Sequence, residues 1–190
     1  MESTELIRRR AMMGKKEQDI YANMITFDFT VAESYTVNIT TNNNAGTASI
    51  DKIIIDGIDI GNITTSMSYT FDVGRHKIGW LMVDTANIAQ DAIAQIAPIN
   101  SLPTDKITTI PACVETIGMY AMRGTPAYVN SYFVVHPTIP PTCGAAAIGL
   151  WYANTNRPIY VPDDSIELYK SAPQWSDYSS AYKPLSQLTQ

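Results

Sequence analysis

At residues 107–122 the sequence contains the segment Ile107-Thr108-Thr109-Ile110-Pro111-Ala112-Cys113-Val114-Glu115-Thr116-Ile117-Gly118-Met119-Tyr120-Ala121-Met122. Pro111 is expected to end a short strand, and Gly118 to permit a tight bend. A unit of this length cannot bury its apolar side alone, so we expect neighbouring units to stack on it. The apolar positions predicted to share one core are Ile107, Ile110, Val114, Ile117 and Met122, and Ala121 is expected to close the layer together with Met122.

Weaker copies of this pattern flank the segment. Residues 88–93, followed by apolar residues at steps of three up to Leu102, indicate an earlier unit. Residues 132–135 and the turn at residues 138–142 indicate a later one. The sequence from Ile159 to Tyr178 predicts a strand that ends at Pro162, a helix over residues 165–170 capped by Asp163 or Asp164, and aromatic cover for the open end.

Residues 107–122 and 159–178 resemble the BspA-type leucine-rich repeat, with Met122 in the place of the usual Phe. The resemblance extends over about residues 86–182. It implies a short, degenerate leucine-rich-repeat region over residues 85–190 with a C-terminal helical cap. Proteins of this family are reputed to bind host protein or glycan at bacterial surfaces.

Residues 21–84 show a different pattern. Phe27, Phe29 and Val31 alternate with polar residues, and similar alternation recurs up to Val83. Asp56-Gly57 is a strong hairpin signal between two such runs. Several short strands with turns every 8–12 residues predict a small immunoglobulin-like β-sandwich. The predicted fold class of the whole chain is therefore mainly β.

The first 20 residues form a separate segment, which we predict to be an anchor. Residues 1–16 carry a charge of +3, which leaves −8 for the remainder of a chain whose net charge is −5. Such a segment could bind an acidic surface on another protein. Docking on its own acidic body, or a solvated tail, would be the alternatives. The predicted partner-binding residues are Leu6, Ile7, Arg8, Arg9, Arg10, Met12 and Met13.

Composition excludes several classes of protein. An apolar share of 45% and a charged share of 16% indicate a folded core and not intrinsic disorder. An acidic body argues against nucleic-acid binding, which needs a basic face. The longest apolar runs are far shorter than the roughly 20 residues of a membrane span, so no membrane insertion is expected. No apolar stretch of a secretory signal follows the arginines near the start.

No pattern in the sequence predicts an enzyme, a cofactor or a metal site. His76 and His136 are expected to have structural roles, and neither Cys113 nor Cys143 lies in a nucleophile motif. Whether the two cysteines are bonded to each other stays open. The one binding feature is a set of aromatic residues that could face a ligand or fill the repeat core and cap: Trp151, Tyr152, Trp175 and Tyr178.

These observations favour a non-enzymatic virion structural protein of a phage that infects a gut bacterium. The start Met1-Glu2-Ser3-Thr4-Glu5-Leu6-Ile7-Arg8-Arg9-Arg10 resembles those of structural proteins from such phages and prophages. A decoration, head-fibre or tail-fibre component is expected, attached to other virion proteins through its N-terminus. A homo-oligomer is expected too, with a bacterial surface glycan or protein as a further partner. The alternative is an adhesin module at a bacterial cell surface.

Overall fold

A computed structural model of the chain describes residues 20–39, 50–61, 67–90, 96–97, 104–121, 132–147 and 157–189. These residues are mainly β, with helix α1 at Ile166–Ser171 and short 3-10 helices at Asp163–Ser165, Ser176–Tyr178 and Leu185–Gln187. The strands are β1 Ile25–Val31, β2 Tyr35–Ile39, β3 Ile50–Ile55, β4 Ile58–Gly61, β5 Met67–Phe71, β6 Gly74–Met82, β7 Asn87–Ile88, β8 Ile96–Ala97, β9 Thr104–Ile110, β10 Thr116–Ile117, β11 Tyr132–Val135, β12 Thr142–Cys143, β13 Ile159–Val161 and β14 Tyr182–Pro184. The predicted fold class, mainly β, is confirmed.

Eight strands form one large sheet in the order β14-β13-β11-β9-β1-β6-β3-β4. From β4 to β9 neighbouring strands are antiparallel, and from β9 to β14 they are parallel. Strand β1 joins the two halves, because it pairs with β6 on one side and with β9 on the other. The large sheet therefore contains strands from both sides of residue 84.

Alternation along β1 explains which face of the large sheet is buried. Phe27 and Phe29 point into the core and stack on each other with ring centroids 5.1 Å apart. Phe29 meets Phe71 of β5 edge-on at 5.1 Å. Strand β5 belongs to a second sheet, of order β5-β2-β8, so the core of this half lies between the two sheets.

The Asp56-Gly57 turn was predicted correctly, and its backbone shows why these two residues are needed. Asp56 has φ 50° and Gly57 has φ 81°, the pair of positive values that a two-residue turn of the hairpin type requires. The turn connects β3 to β4 in register, with Ile55 opposite Ile58.

The third sheet, of order β12-β10-β7, is a stack of three two-residue strands running in parallel. Ile88, Ile117 and Cys143 lie above one another in it. Position 118, directly after Ile117, needs glycine, because a Cβ at this position would lie 2.7 Å from the carbonyl carbon of Ala89. Its backbone N–H donates to the Ile88 carbonyl at 2.6 Å. Gly118 is thus required by close approach between successive strands.

The core prediction for residues 107–122 is confirmed in part. Ile110, Val114, Ile117 and Ala121 are buried, whereas Met122 lies outside the described residues. Ile107 is only half-buried, so its predicted inward direction was wrong. Because side chains alternate along β9, Thr108 and Ile110 share the buried face, and Ile107 points to the other one.

The C-terminal segment forms the predicted strand and helix. Its aromatic side chains donate hydrogen bonds to backbone carbonyls: Tyr169 to Pro137 at 2.9 Å and Trp175 to Pro141 at 2.8 Å. The predicted helix cap was wrong, because no side chain caps either the 3-10 turn or α1. Asp163 instead accepts a hydrogen bond from the Ser186 backbone N–H at 3.1 Å.

One contiguous core extends through both halves of the described chain, from Ile53 and Phe71 to Ile117, Val161 and Trp175. The predicted division into residues 1–20, 21–84 and 85–190 stays a prediction. The structure adds that strands on both sides of residue 84 share one sheet and one core.

Candidate binding face

The face of the large sheet that points away from the core is the candidate functional site, and we call it the outer face. The paired registers of six strands place one set of alternating side chains on it. These residues are Thr26, Asp28, Lys77, Ile107, Thr109, Tyr132, Val134, Tyr160 and Lys183.

Residues 20–24 cover the antiparallel part of the outer face. Tyr21, Met24 and Ile54 form a small buried cluster there. The Tyr21 ring lies against Gly79, where a Cβ would come within 2.6 Å of the ring. The Tyr21 hydroxyl accepts a hydrogen bond from the Gly57 N–H at 2.9 Å, which ties this cover to the β3–β4 turn.

Lys77 lies at the border of this covered part. Its Nζ is 5.0 Å from the centre of the Tyr21 ring and 3.5 Å from an Asp28 carboxylate oxygen. The ammonium is therefore held in place by a ring face and an opposite charge. It lies beside the open part of the outer face.

Next to Lys77 the outer face forms an open groove of about 710 Å³. Pro111 and Ala112 contribute apolar wall. Within the part of the chain that the structure describes, the side chains of Asn23, Thr109 and His136 line the groove without a hydrogen bond. Tyr21 and Lys77 also line it, but their polar groups are engaged in the contacts given above. Polar groups that have no partner in the described chain, beside apolar wall, are the usual content of a ligand site.

Lys77, which is paired with Asp28, supplies the charged group of the groove, and His136 supplies a neutral one. Partial desolvation lowers the pKa of His136 below its ordinary value of 6.5. The ring is consequently neutral at neutral pH and offers one hydrogen-bond donor and one acceptor. Hydroxyl, amide, imidazole and ammonium groups together suit a polar ligand rich in hydroxyl or carboxylate groups.

Two tyrosines extend the outer face on consecutive parallel strands. The rings of Tyr132 and Tyr160 meet edge-on with centroids 5.4 Å apart, and both side chains are half-buried. No pattern in the sequence had indicated these two residues. The signal that could have found them is their place on β11 and β13, out of phase with the buried Phe133 and Ile159.

The structure separates the aromatic residues that were predicted to face a ligand. Trp151 and Tyr152 lie outside the described residues. Trp175 is 1% exposed, so it belongs to the core, and its proposed ligand-facing role is corrected. Tyr178 is half-buried beside a space of about 10 Å³, which holds about one water molecule and no ligand. The predicted anchor residues Leu6, Ile7, Arg8, Arg9, Arg10, Met12 and Met13 also lie outside the described part of the chain.

The cysteines and His76 of the described chain have the following surroundings. Both cysteines are free and half-buried. Burial raises the pKa of Cys143 to about 12, which keeps it a thiol. The His76 ring is already engaged by Asp56 at 2.7 Å. Across the described ranges, no three His, Cys, Asp or Glu side chains are grouped closely enough to hold a metal ion.

No helix in the described part of the chain is long and apolar enough to cross a membrane. No protein-family model matches the sequence, and a search of curated proteins gives no significant match. The family resemblance of residues 86–182 therefore stays a prediction that rests on the quoted segments.

Proposed function

We propose that this protein is a non-enzymatic virion structural protein, a decoration, head-fibre or tail-fibre component that presents the outer face to its surroundings. One observation carries the proposal: a continuous eight-stranded sheet leaves a polar groove and a tyrosine pair on its outer face. A sheet fixed by a core on its other side holds such groups at constant spacing, as a display surface requires. The resemblance of the first residues to phage structural proteins supplies the virion setting.

We further propose that the two halves are an immunoglobulin-like sandwich and a short leucine-rich-repeat region of BspA type. The parallel registers support the second part, because Tyr132 lies opposite Ile107 and Thr142 opposite Thr116. These offsets of 25 and 26 positions fall within the range of leucine-rich repeats, about 20–29 residues. The turn after each short strand also recurs, with positive φ at Tyr120 (55°) and at Ala146 (51°).

In this proposal the N-terminal segment attaches the protein to the particle and the outer face points away from it. The charge difference between residues 1–16 and the rest supports attachment to an acidic partner. The test compares the full chain with a chain that starts at Glu17, both expressed during particle assembly. The particles are then purified on a density gradient, and both chains are quantified by mass spectrometry.

The full chain is expected in the particle fraction at a fixed ratio to the shell protein, and the shortened chain is expected to be lost from it. The melting temperature of the shortened chain should stay unchanged, which separates loss of attachment from loss of folding. Absence of the full chain from the particles would overturn the virion proposal. Equal incorporation of both chains would overturn the anchor.

The alternative is an adhesin module that binds glycan or protein at a bacterial surface. The side chains of Asn23, Thr109 and His136 favour it, since a ligand could bind them without breaking a hydrogen bond within the described chain. Binding of the labelled full chain to bacterial cells, without any particle, would support this function. Thr109→Val with Tyr160→Ala should then abolish binding, and the exposed cap residue change Ser176→Ala should leave it unchanged.

A further inference from the structure

His76 makes two short contacts at the end of the antiparallel half. Its Nδ1 lies 2.7 Å from Asp56 Oδ2, in the β3–β4 turn. Its Nε2 lies 2.7 Å from the backbone carbonyl oxygen of Asp72, in the corner between β5 and β6. That corner, residues 72–73, connects the second sheet to the large sheet. One imidazole thus bridges a hairpin turn and the corner between two sheets.

Both of these partners are hydrogen-bond acceptors. A carbonyl oxygen has no proton to give, and the Asp56 carboxylate already accepts the Lys77 backbone N–H at 2.8 Å through its other oxygen. Each ring nitrogen must therefore donate. Only the imidazolium ion has a proton on both nitrogens, whereas either neutral tautomer would turn a lone pair toward an oxygen 2.7 Å away.

The carboxylates and hydrogen bonds around the ring favour its charged form more strongly than burial disfavours it. The Phe29 and Phe71 rings lie 5.7 Å and 5.0 Å from it, and the side chain is 12% exposed. Burial by itself lowers the pKa of His76, but the hydrogen bonds to Asp56 and Asp72 and the charges of both carboxylates outweigh it, so the pKa is raised above 6.5.

The other polar neighbours of the ring either carry no charge or face away from it. Tyr69 on β5 is uncharged, since burial and the two carboxylates raise the pKa of its phenol. On β6 itself, Arg75 and Lys77 alternate to the outer face, opposite Thr30 and Asp28. Ser34, from the β1–β2 connection, donates to the Asp72 carboxylate at 3.3 Å and adds no charge.

We propose that His76 is a protonation-controlled clasp that fastens the corner between the two sheets to the β3–β4 turn. When the ring loses a proton, the remaining proton stays on Nδ1, because a hydrogen bond to a carboxylate is stronger than one to a neutral carbonyl. The bond to the Asp72 carbonyl is then lost, and the corner at residues 72–73 opens while the β3–β4 turn stays attached.

The direction of the pH dependence follows from the raised pKa. The stabilisation is fully present below about pH 6.5, the ordinary value of the unfolded chain, and is lost as the pH rises through the higher folded-state value. In the open corner the ring keeps its bond to Asp56, so the equilibrium for opening should increase, by at most about tenfold per pH unit, only between the pKa of this open state and the higher pKa of the closed state. Above the folded-state value it should level off.

The test uses the full chain and two readouts. Nitrogen-15 NMR of the ring should show both nitrogens protonated at pH 6, with a titration midpoint above 6.5. Amide exchange, corrected for its intrinsic rate, should accelerate with the same midpoint at Gly74, which lies opposite Val31 at the start of β6, and stay slow at Lys77. Asp56→Asn should lower the midpoint, and His136→Gln should leave it unchanged.

A ring that carries one proton throughout this range, or a midpoint at or below 6.5, would overturn the clasp. So would corner amides whose corrected exchange does not follow the His76 titration. His76→Gln adds a further check, since its corner exchange should be independent of pH. The ring spectra and the Asp56→Asn comparison both use chains that retain His76. The test therefore remains decisive even if the His76→Gln variant does not fold.

Discussion

Gly118→Ala is expected to destabilise the protein, and the sign of the effect is what makes it informative. At an uncrowded position with ordinary backbone angles, replacing Gly with Ala stabilises a protein by about 0.4–1 kcal/mol through the unfolded chain. At Gly118 the new methyl group would instead meet the backbone of Ala89 and Gln90. Backbone atoms cannot turn aside as a side chain can, so the chain that follows β7 and the chain that follows β10 must separate.

Overpacking of this kind costs about 1–3 kcal/mol. For a chain of this size, that corresponds to a fall in melting temperature of about 2–12 °C. The assay is thermal unfolding followed by circular dichroism, with denaturant titration to verify that the slope with denaturant concentration is unchanged. Amide exchange should locate the damage at Gly118, Thr142 and Gly144, whose N–H groups bond across the stacked turns.

Gly61→Ala is the matched control. A Cβ at Gly61 meets nothing within 4 Å, so its cost comes only from the positive φ of 74°. Faster amide exchange in that variant should stay within β3 and β4. A melting temperature of Gly118→Ala equal to or above that of the unchanged protein would refute the close stacking of the third sheet.

Two further predictions concern the C-terminal cap. Tyr169→Phe removes the only donor that the described chain provides to the Pro137 carbonyl. This change should lower the free energy of unfolding, measured by urea titration, by about 1–3 kcal/mol. The control Tyr160→Phe, on the outer face, should change the free energy of unfolding by less than about 0.5 kcal/mol. Cys143 should react slowly with iodoacetamide at pH 8 in the folded protein and much faster after unfolding, because burial raises its pKa to about 12. The two rates are measured by mass spectrometry. Equal rates in the folded and unfolded states would contradict the buried position of Cys143.

Local patterns predicted the strands well. Alternation in residues 27–31 and the Asp56-Gly57 pair act over a few positions, and the structure contains both features. The pairing of β1 with β9 could not be predicted in this way. It joins Phe27 to Thr108, and nothing in either segment alone encodes a contact so distant in sequence.

The errors of sequence analysis have a common physical origin. Ile107 was assigned to the core by its place in the repeat spacing, although the two-residue period of a strand puts it on the face opposite Ile110. The turn at residues 143–147 was missed because Cys143 occupies the position that Ile117 has in the preceding unit. The outer face could not be predicted, because its residues lie next to one another on different strands and the register of those strands was not known from the sequence.

Acetylation of lysines on intact purified particles, read by mass spectrometry, tests the proposed function most directly. Lys183 on the outer face is exposed in the folded chain, whereas Lys15 and Lys16 belong to the predicted anchor. The proposal predicts that Lys15 and Lys16 become protected in the particle relative to the free protein, and that Lys183 is modified equally in both. Protection of Lys183 with unchanged modification of Lys15 and Lys16 would contradict it, because the outer face would then be the attachment surface.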